Sequence, residues 1–399
     1  MAFFTRVNQL NAFLSLRALT VSSYLIKFQY TTLRTISPPN LEHLTLLRDD
    51  LGPQEENMTN SFLKALALKS HHIKTLVVRG NYTGLTFSVL LKFSNVQNLT
   101  IYFRNLPVIS LSLLEQIASS MTSLQSLKMI LDSSKFKNDL KNTSRQVFQF
   151  VSLTDLVVDG HLHSVGKVLE VVHAPLLSRL SLTVNILGPG FEPCTSIRSF
   201  IPVKMIDKVQ SFSVSSWCSD ARRRRGPIDF GSQISPFITF EQLDDLSVRV
   251  PTLRISTTHL ATFLDNNRYF SNLLWLTLEY DRPSQINQSL SIAALPLIAN
   301  TCPKLFHLAI SIYHPDQSEM RITTRSHNLR TLRFCSLPDW DDSTSLATAF
   351  SSFLYHLFPK LIFSYWGVLA LPESRKKWWE SVQDMIKGHQ TRMVRNESD

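Results

Sequence analysis

Three groups of residues have the types and spacing that could carry chemistry. His161 and His163 stand two apart, on one side of an extended chain, and His173 follows. A metal site needs three or four converging ligands with partners behind them, and no nearby carboxylate or thiol pattern completes that set. These imidazoles are expected to face solvent or to accept ordinary hydrogen bonds, and His71 and His72 to help cap a helix-to-strand junction. Asp339, Asp341 and Asp342 gather around Trp340, but a calcium loop needs alternating oxygen ligands and a glycine at a set place. A solvated acidic turn is the expectation there. The densest charge is the run Arg222, Arg223, Arg224 and Arg225, open to three readings: a solvated loop, a nuclear-import string, or a contact for an acidic or nucleic-acid partner.

The strings that announce common chemistries are missing. There is no G-x-S-x-G elbow, no H-E-x-x-H and no cysteine-protease string. The 11 glycines in 399 residues are less than half the usual share of about 7%. Neither phosphate-loop glycine pattern occurs, which argues against nucleotide chemistry. Cys194, Cys218, Cys302 and Cys335 form no C-x-x-C pair; neither a zinc knuckle nor a disulfide framework is expected, and a reducing compartment is the simpler setting. The expectation is a chain without enzymatic activity, resident metal or cofactor.

What positions the remaining candidates is a repeat. The pattern Leu-x-x-Leu-x-Leu, with any large apolar residue at its three fixed places, begins at residues 16, 41, 73, 96, 124, 153, 177, 209, 243, 273, 305 and 329. A degraded thirteenth copy begins at Leu361. The starts fall 23 to 34 residues apart with a mean of about 29, at the upper end of the leucine-rich-repeat range. Each copy predicts a short strand whose fourth and sixth residues point inward, while the first anchors the entering turn. Between strands lie helical spacings such as Phe62-Leu63-Leu66, Leu114-Ile117-Ala118 and Val165-Val168-Leu169. Proline follows at Pro175, Pro303 and Pro359, where it stops the helix and turns the chain toward the next strand.

The expected fold is α/β: a right-handed leucine-rich-repeat solenoid, arc-shaped, with a parallel sheet on the concave face and helices on the convex one. The repeat array is expected over 1–371, with an exposed excursion near 216–238 and a capping helix and polar tail over 372–399. The tail's stripe Trp378, Trp379, Val382, Met385 and Ile386 is what would cover the raw edge of the last coil. The third, fifth and seventh residues of each motif should face outward in three columns. Among their serines, threonines and valines stand Arg79, Tyr102, Lys128, Asp155, Asp159, Arg179, Arg249, Trp275, Glu279, His307 and Arg333. Aromatic and arginine anchors with complementary charges on a stiff surface suit a protein partner.

Composition agrees with a packed chain: 44% hydrophobic and 18% charged residues exclude disorder. Net charge of +10 permits nucleic-acid contact, yet no basic residues alternate with stacking aromatics on one face, and no zinc-finger or RNP-type string occurs. No signal peptide and no run near the roughly 18 apolar residues of a membrane span is found. A cytoplasmic or nuclear location without membrane contact is expected.

The motif, its loose spacing and the ending Phe353-Leu-Tyr-His-Leu-Phe358-Pro359 followed by Trp366, Trp379 and Val382 resemble the leucine-rich-repeat region of F-box-like proteins abundant in mushroom-forming fungi. The resemblance implies that the repeats select a protein for ubiquitination. It also implies that an F-box module docks on a Skp-type adaptor and thereby on a cullin. Residues 1–40 show no Leu-Pro-x-Glu-like start, and a repeat already begins at Leu16, so adaptor and cullin are expected only where a longer protein supplies the F-box.

Overall fold

The computed structural model describes residues 15–22, 38–47, 53–80, 84–103, 111–131, 147–185, 208–217, 228–229, 242–250, 253–265, 268–280, 289–313, 320, 327–336, 343–363 and 373–396. The chain divides into two compact units, Met1–Asn185 with Phe200–Lys208, and Ile186–Ser199 with Val209–Asp399.

In the first unit the order is β1 (Ala18–Ser22), β2 (His43–Leu47), α1 (Pro53–Lys69), β3 (Thr75–Arg79), α2 (Gly84–Leu90), β4 (Asn98–Phe103), α3 (Leu111–Ser120), β5 (Ser126–Leu131), β6 (Phe148–Gln149), β7 (Asp155–His161), α4 (Leu162–Val171), β8 (Val172–His173) and β9 (Arg179–Asn185). Strands β1, β2, β3, β4, β5, β7 and β9 lie side by side in that order, all parallel, and β6 pairs with β8. The register follows the motif: Leu44 lies opposite Leu76, Leu76 opposite Leu99, Leu127 opposite Leu156, and Leu156 opposite Leu180. Each of these is buried, and β7 alternates inward and outward residues over its full length. A parallel sheet is usually covered on both faces. Here alternation leaves the second face polar and half-open.

The second unit runs β10 (Ser211–Trp217), β11 (Ile228–Asp229), β12 (Asp245–Arg249), β13 (Leu253–Arg254), α5 (Thr257–Asp265), a 3-10 turn (Arg268–Asn272), β14 (Trp275–Glu279), α6 (Ala294–Thr301), β15 (His307–Ser311), β16 (Thr331–Ser336), α7 (Thr344–Leu357), β17 (Ile362–Phe363) and α8 (Glu373–Asn396). Its parallel sheet has the order β10, β12, β14, β15, β16, β17, with Phe212, Leu246, Leu276, Leu308 and Leu332 in one buried row. Both units therefore have the leucine-rich-repeat α/β fold.

One backbone device recurs along both units. The carbonyl of the motif's second residue accepts two N–H groups from the next coil: Gln97 O from Gln125 (2.8 Å) and Ser126 (2.9 Å), and Asp244 O from Leu274 (2.8 Å) and Trp275 (3.0 Å). The helices fall where the apolar spacing puts them, burying Phe62, Leu63 and Leu66 of α1, Ile117 of α3 and Val168 of α4. At the C-terminus Trp378, Trp379, Val382 and Ile386 of the α8 stripe are buried, with Phe350 of α7 and Trp378 rings 6.0 Å apart and Phe334 edge-on to Trp379 at 5.4 Å. Gln390 Nε2 donates to the carbonyls of Pro359 (2.9 Å) and Leu361 (3.0 Å), satisfying the chain as it enters the last strand.

Three details depart from the sequence reading. The thirteenth strand pairs Leu332 with Phe363, not with Ser364, so its register begins one residue earlier than Leu361 would give. Its two residues leave too short a ladder to hold the repeat's own phase. Within the expected excursion, Ser216 and Trp217 continue β10, and Ile228–Asp229 pairs with Leu253–Arg254; Arg222 to Arg225 lie outside the described residues. In β15 the outward positions Ala309 and Ser311 are buried as well, with Ser311 Oγ accepting the Tyr280 N–H at 3.3 Å as the chain leaves the neighbouring strand.

Candidate functional site

All eleven outward candidates lie among the described residues, at the strand positions the motif assigns them. They separate into two groups, six in the first unit and five in the second.

In the first unit, Arg79 and Tyr102 are register partners across β3 and β4. The guanidinium lies 4.3 Å from the ring centroid, and a terminal nitrogen donates to the phenol oxygen at 3.1 Å. A cation over an aromatic face gives a rigid patch that is apolar and charged at once. Two strands on, Asp155 accepts a hydrogen bond from Ser126 Oγ at 3.2 Å and faces Arg179 at 3.7 Å. Asp159 lies opposite Ile130, and burial raises its carboxyl above the usual range, partly offset by the Lys128 charge.

In the second unit, Asp245, Trp275 and His307 form one row across β12, β14 and β15. The indole and imidazole centroids are 4.9 Å apart, and Trp275 is 45% exposed. Asp245 accepts from Ser211 Oγ at 3.0 Å. Burial raises its carboxyl, against the lowering effects of that bond and of Arg249 and His307. Arg249 pairs with Glu279 at 3.7 Å. Burial holds His307 below its ordinary value, the charge of Arg333 adds to this, and Asp245 opposes it. The imidazole is therefore neutral at physiological pH.

The columns miss Phe306 and Leu274. Both occupy the motif's second position, just ahead of the strand, and both are exposed, 41% and 39%. Phe306 lies 6.2 Å from Trp275 by ring centroid and carries the Arg330 guanidinium at 5.6 Å. The signal was available: second positions in the other full copies of the motif are polar, Glu42, Lys74, Gln97 and Gln125 among them. Two consecutive large apolar residues there break the pattern. Asp245 also sits in the third column and escaped notice as one acid among small polar neighbours.

Reactive groups are held quiet. Burial pushes the thiols of Cys302 and Cys335 up to about 12, so neither is a thiolate nucleophile at neutral pH. Buried His327 is fixed by two bonds: Nδ1 accepts the Leu329 N–H at 2.9 Å, so Nε2 donates to Cys302 O at 2.7 Å. Among the described residues no group of three His, Cys, Asp or Glu side chains converges as a metal site would require. Nor is any helix among them long and apolar enough to cross a membrane.

No protein-family profile and no curated protein matches the sequence. Several solved structures are similar in fold. A yeast Rad7 and Elc1 complex aligns at 12% identity over 92% of this chain and 85% of that chain, with a TM-score of 0.36. The leucine-rich repeat-containing protein LegL7 from Legionella pneumophila aligns at 13% identity over 94% of each chain, with a TM-score of 0.35. The leucine-rich-repeat protein LIC12759 from Leptospira interrogans aligns at 12% over 90% of this chain and 92% of that one, with a TM-score of 0.31. This chain's own strand register and motif phase establish the same class, a leucine-rich-repeat α/β fold.

Proposed function

We propose that the chain is a non-enzymatic protein-recognition module whose outward strand face selects a partner by surface complementarity. The observation that carries the reading is Trp275: an indole 45% exposed on a central strand, beside Phe306 and His307 and flanked by Asp245 and the Arg249–Glu279 pair. Binding hot spots favour tryptophan, tyrosine and arginine, surrounded by groups that exclude water and fix register. An exposed tryptophan contributes little to folding and much to an interface.

The resemblance to F-box-like proteins refines the proposal: the partner is a protein chosen for ubiquitination, and the chain works inside the cell. Two measurements separate the levels. Affinity capture with the full chain from its native organism should recover a partner that Trp275→Ser and Arg249→Glu variants of unchanged melting temperature lose; a partner held equally by all three removes the strand face from recognition. Recovery of neither a Skp-type adaptor nor a cullin with a chain shown to be full-length removes the ligase role and leaves a plain binding module.

A further inference from the structure

The outward face of the second unit carries a cation, Arg333, with no counter-charge among the described residues. Arg249 is engaged with Glu279. Arg333, opposite Ala309 on β16, has no hydrogen bond or ion pair among the described residues, and its Nε is sealed from solvent without a partner. With Nε buried, the side-chain stem has less freedom to lose when the guanidinium engages a ligand, which lowers the entropy cost of binding. Its planar fork matches a carboxylate.

We infer that the face of β14, β15 and β16 binds an extended protein segment with an acidic side chain for Arg333 and a large apolar side chain for the Trp275–Phe306 patch. This rests on the recognition reading above and gives the partner its chemistry. Strands are about 4.8 Å apart and rise about 3.3 Å per residue, which puts the Cα atoms of Trp275 and Arg333, two strands and two residues apart, about 12 Å from one another. An extended chain covers that distance in three or four residues. His307 stands between the two anchors, its ring against Trp275, and burial favours its neutral form, so an arriving apolar group has no charge there to desolvate. The acids on the same face decide against a polyphosphate: Asp245 and Glu279 would repel repeated phosphates, whereas one carboxylate can sit on Arg333 and avoid both.

The test is a display library of random linear twelve-residue peptides panned against the full chain, followed by titration of one enriched peptide. The enriched sequences should share Asp or Glu three or four residues from Trp, Phe or Leu. Arg333→Gln should weaken binding about tenfold or more, and so should changing the peptide's acid to its amide. The two changes together should cost no more than either alone, as a double-mutant cycle requires of groups in contact. The amide peptide leaves the protein untouched, so that arm holds even where Arg333→Gln alters folding. Enriched peptides without an acid, strictly additive losses, or no enrichment at all would overturn the inference. If the bound peptides are nevertheless lost by Trp275→Ser, the recognition reading survives; if they ignore both variants, it falls as well. Displacement of the peptide by single-stranded oligothymidylate, with a steep salt dependence, would also overturn it, in favour of a nucleic-acid partner.

Discussion

Tyr280 and Tyr313 hold each other's repeat closed. Tyr313 Oη donates to the Tyr280 carbonyl at 2.7 Å, and Tyr280 Oη donates to Ser311 O, two residues before Tyr313, at 2.9 Å. The rings lie 5.5 Å apart, and the Leu290 N–H donates to Tyr280 Oη at 2.9 Å. Burial drives the Tyr280 phenol well above its ordinary value, so it stays a neutral donor at any physiological pH. Tyr280→Phe leaves Ser311 O and the Leu290 N–H without that hydroxyl and should cost about 1–3 kcal/mol. Denaturant unfolding checks it, and the loss with Tyr313→Phe should be non-additive.

The inward and outward roles of the motif can be separated by one pair of substitutions. Leu156→Ala empties a fully buried place between Leu127 and Leu180 and should cost about 2–5 kcal/mol. Val157→Ala, on the half-exposed face, should cost much less. Equal losses in chemical denaturation would mean that the strand face is packed on both sides.

Gly160 is required by close approach. A Cβ there would lie 2.8 Å from Leu131 Cβ and 3.0 Å from Leu131 O, where β5 and β7 end side by side. Part of that contact is backbone, which cannot swing away, so Gly160→Ala should destabilise by about 1–3 kcal/mol. Leu131→Ala retains the Cβ and the carbonyl, so adding it should leave most of that cost in place. Full rescue in an unfolding titration would contradict the geometry.

His327 sets a pH dependence. Its Nδ1 must accept the Leu329 N–H, so a second proton would face a donor. Burial lowers its folded value below 6.5, with the bond to Cys302 partly opposing. The unfolded chain therefore takes up the proton first. This contribution is present above 6.5, is lost as pH falls below that value, and levels off once the folded imidazole also titrates. Comparing thermal unfolding of His327→Gln with the wild type across this range should show a shallower loss in the variant; parallel curves would mean the imidazole charges freely in the fold.

The fold was legible because its constraint is local. Alternation in a strand needs only residues two apart, so Leu156 and Val158 announce the inward face and Asp155 and Asp159 the outward one. Fixing the register also pairs the columns, and Arg79 with Tyr102, Asp155 with Arg179 and Arg249 with Glu279 follow from counting along equivalent positions. What stayed hidden depends on chain beyond the strand ends. The Tyr280–Tyr313 exchange and the His327 bond to Cys302 O join repeats of unequal length, so no fixed offset reveals them. Phe306 was missed because the second position lies outside the alternating strand, where a side chain follows the turn and not the pleat.

The shared carbonyl at that second position separates what a residue contributes from what it is. The contact every such residue shares is made by its backbone, which is why arginine, glutamate, lysine, glutamine, threonine, leucine and phenylalanine all serve there, at Arg17, Glu42, Lys74, Gln97, Thr154, Leu274 and Phe306. Proline, lacking the N–H, is the residue it refuses. One border of each sheet is in this sense a blank margin. Its side chains can be rewritten coil by coil, by evolution or by an engineer, to change what the surface meets without renegotiating how the chain stacks.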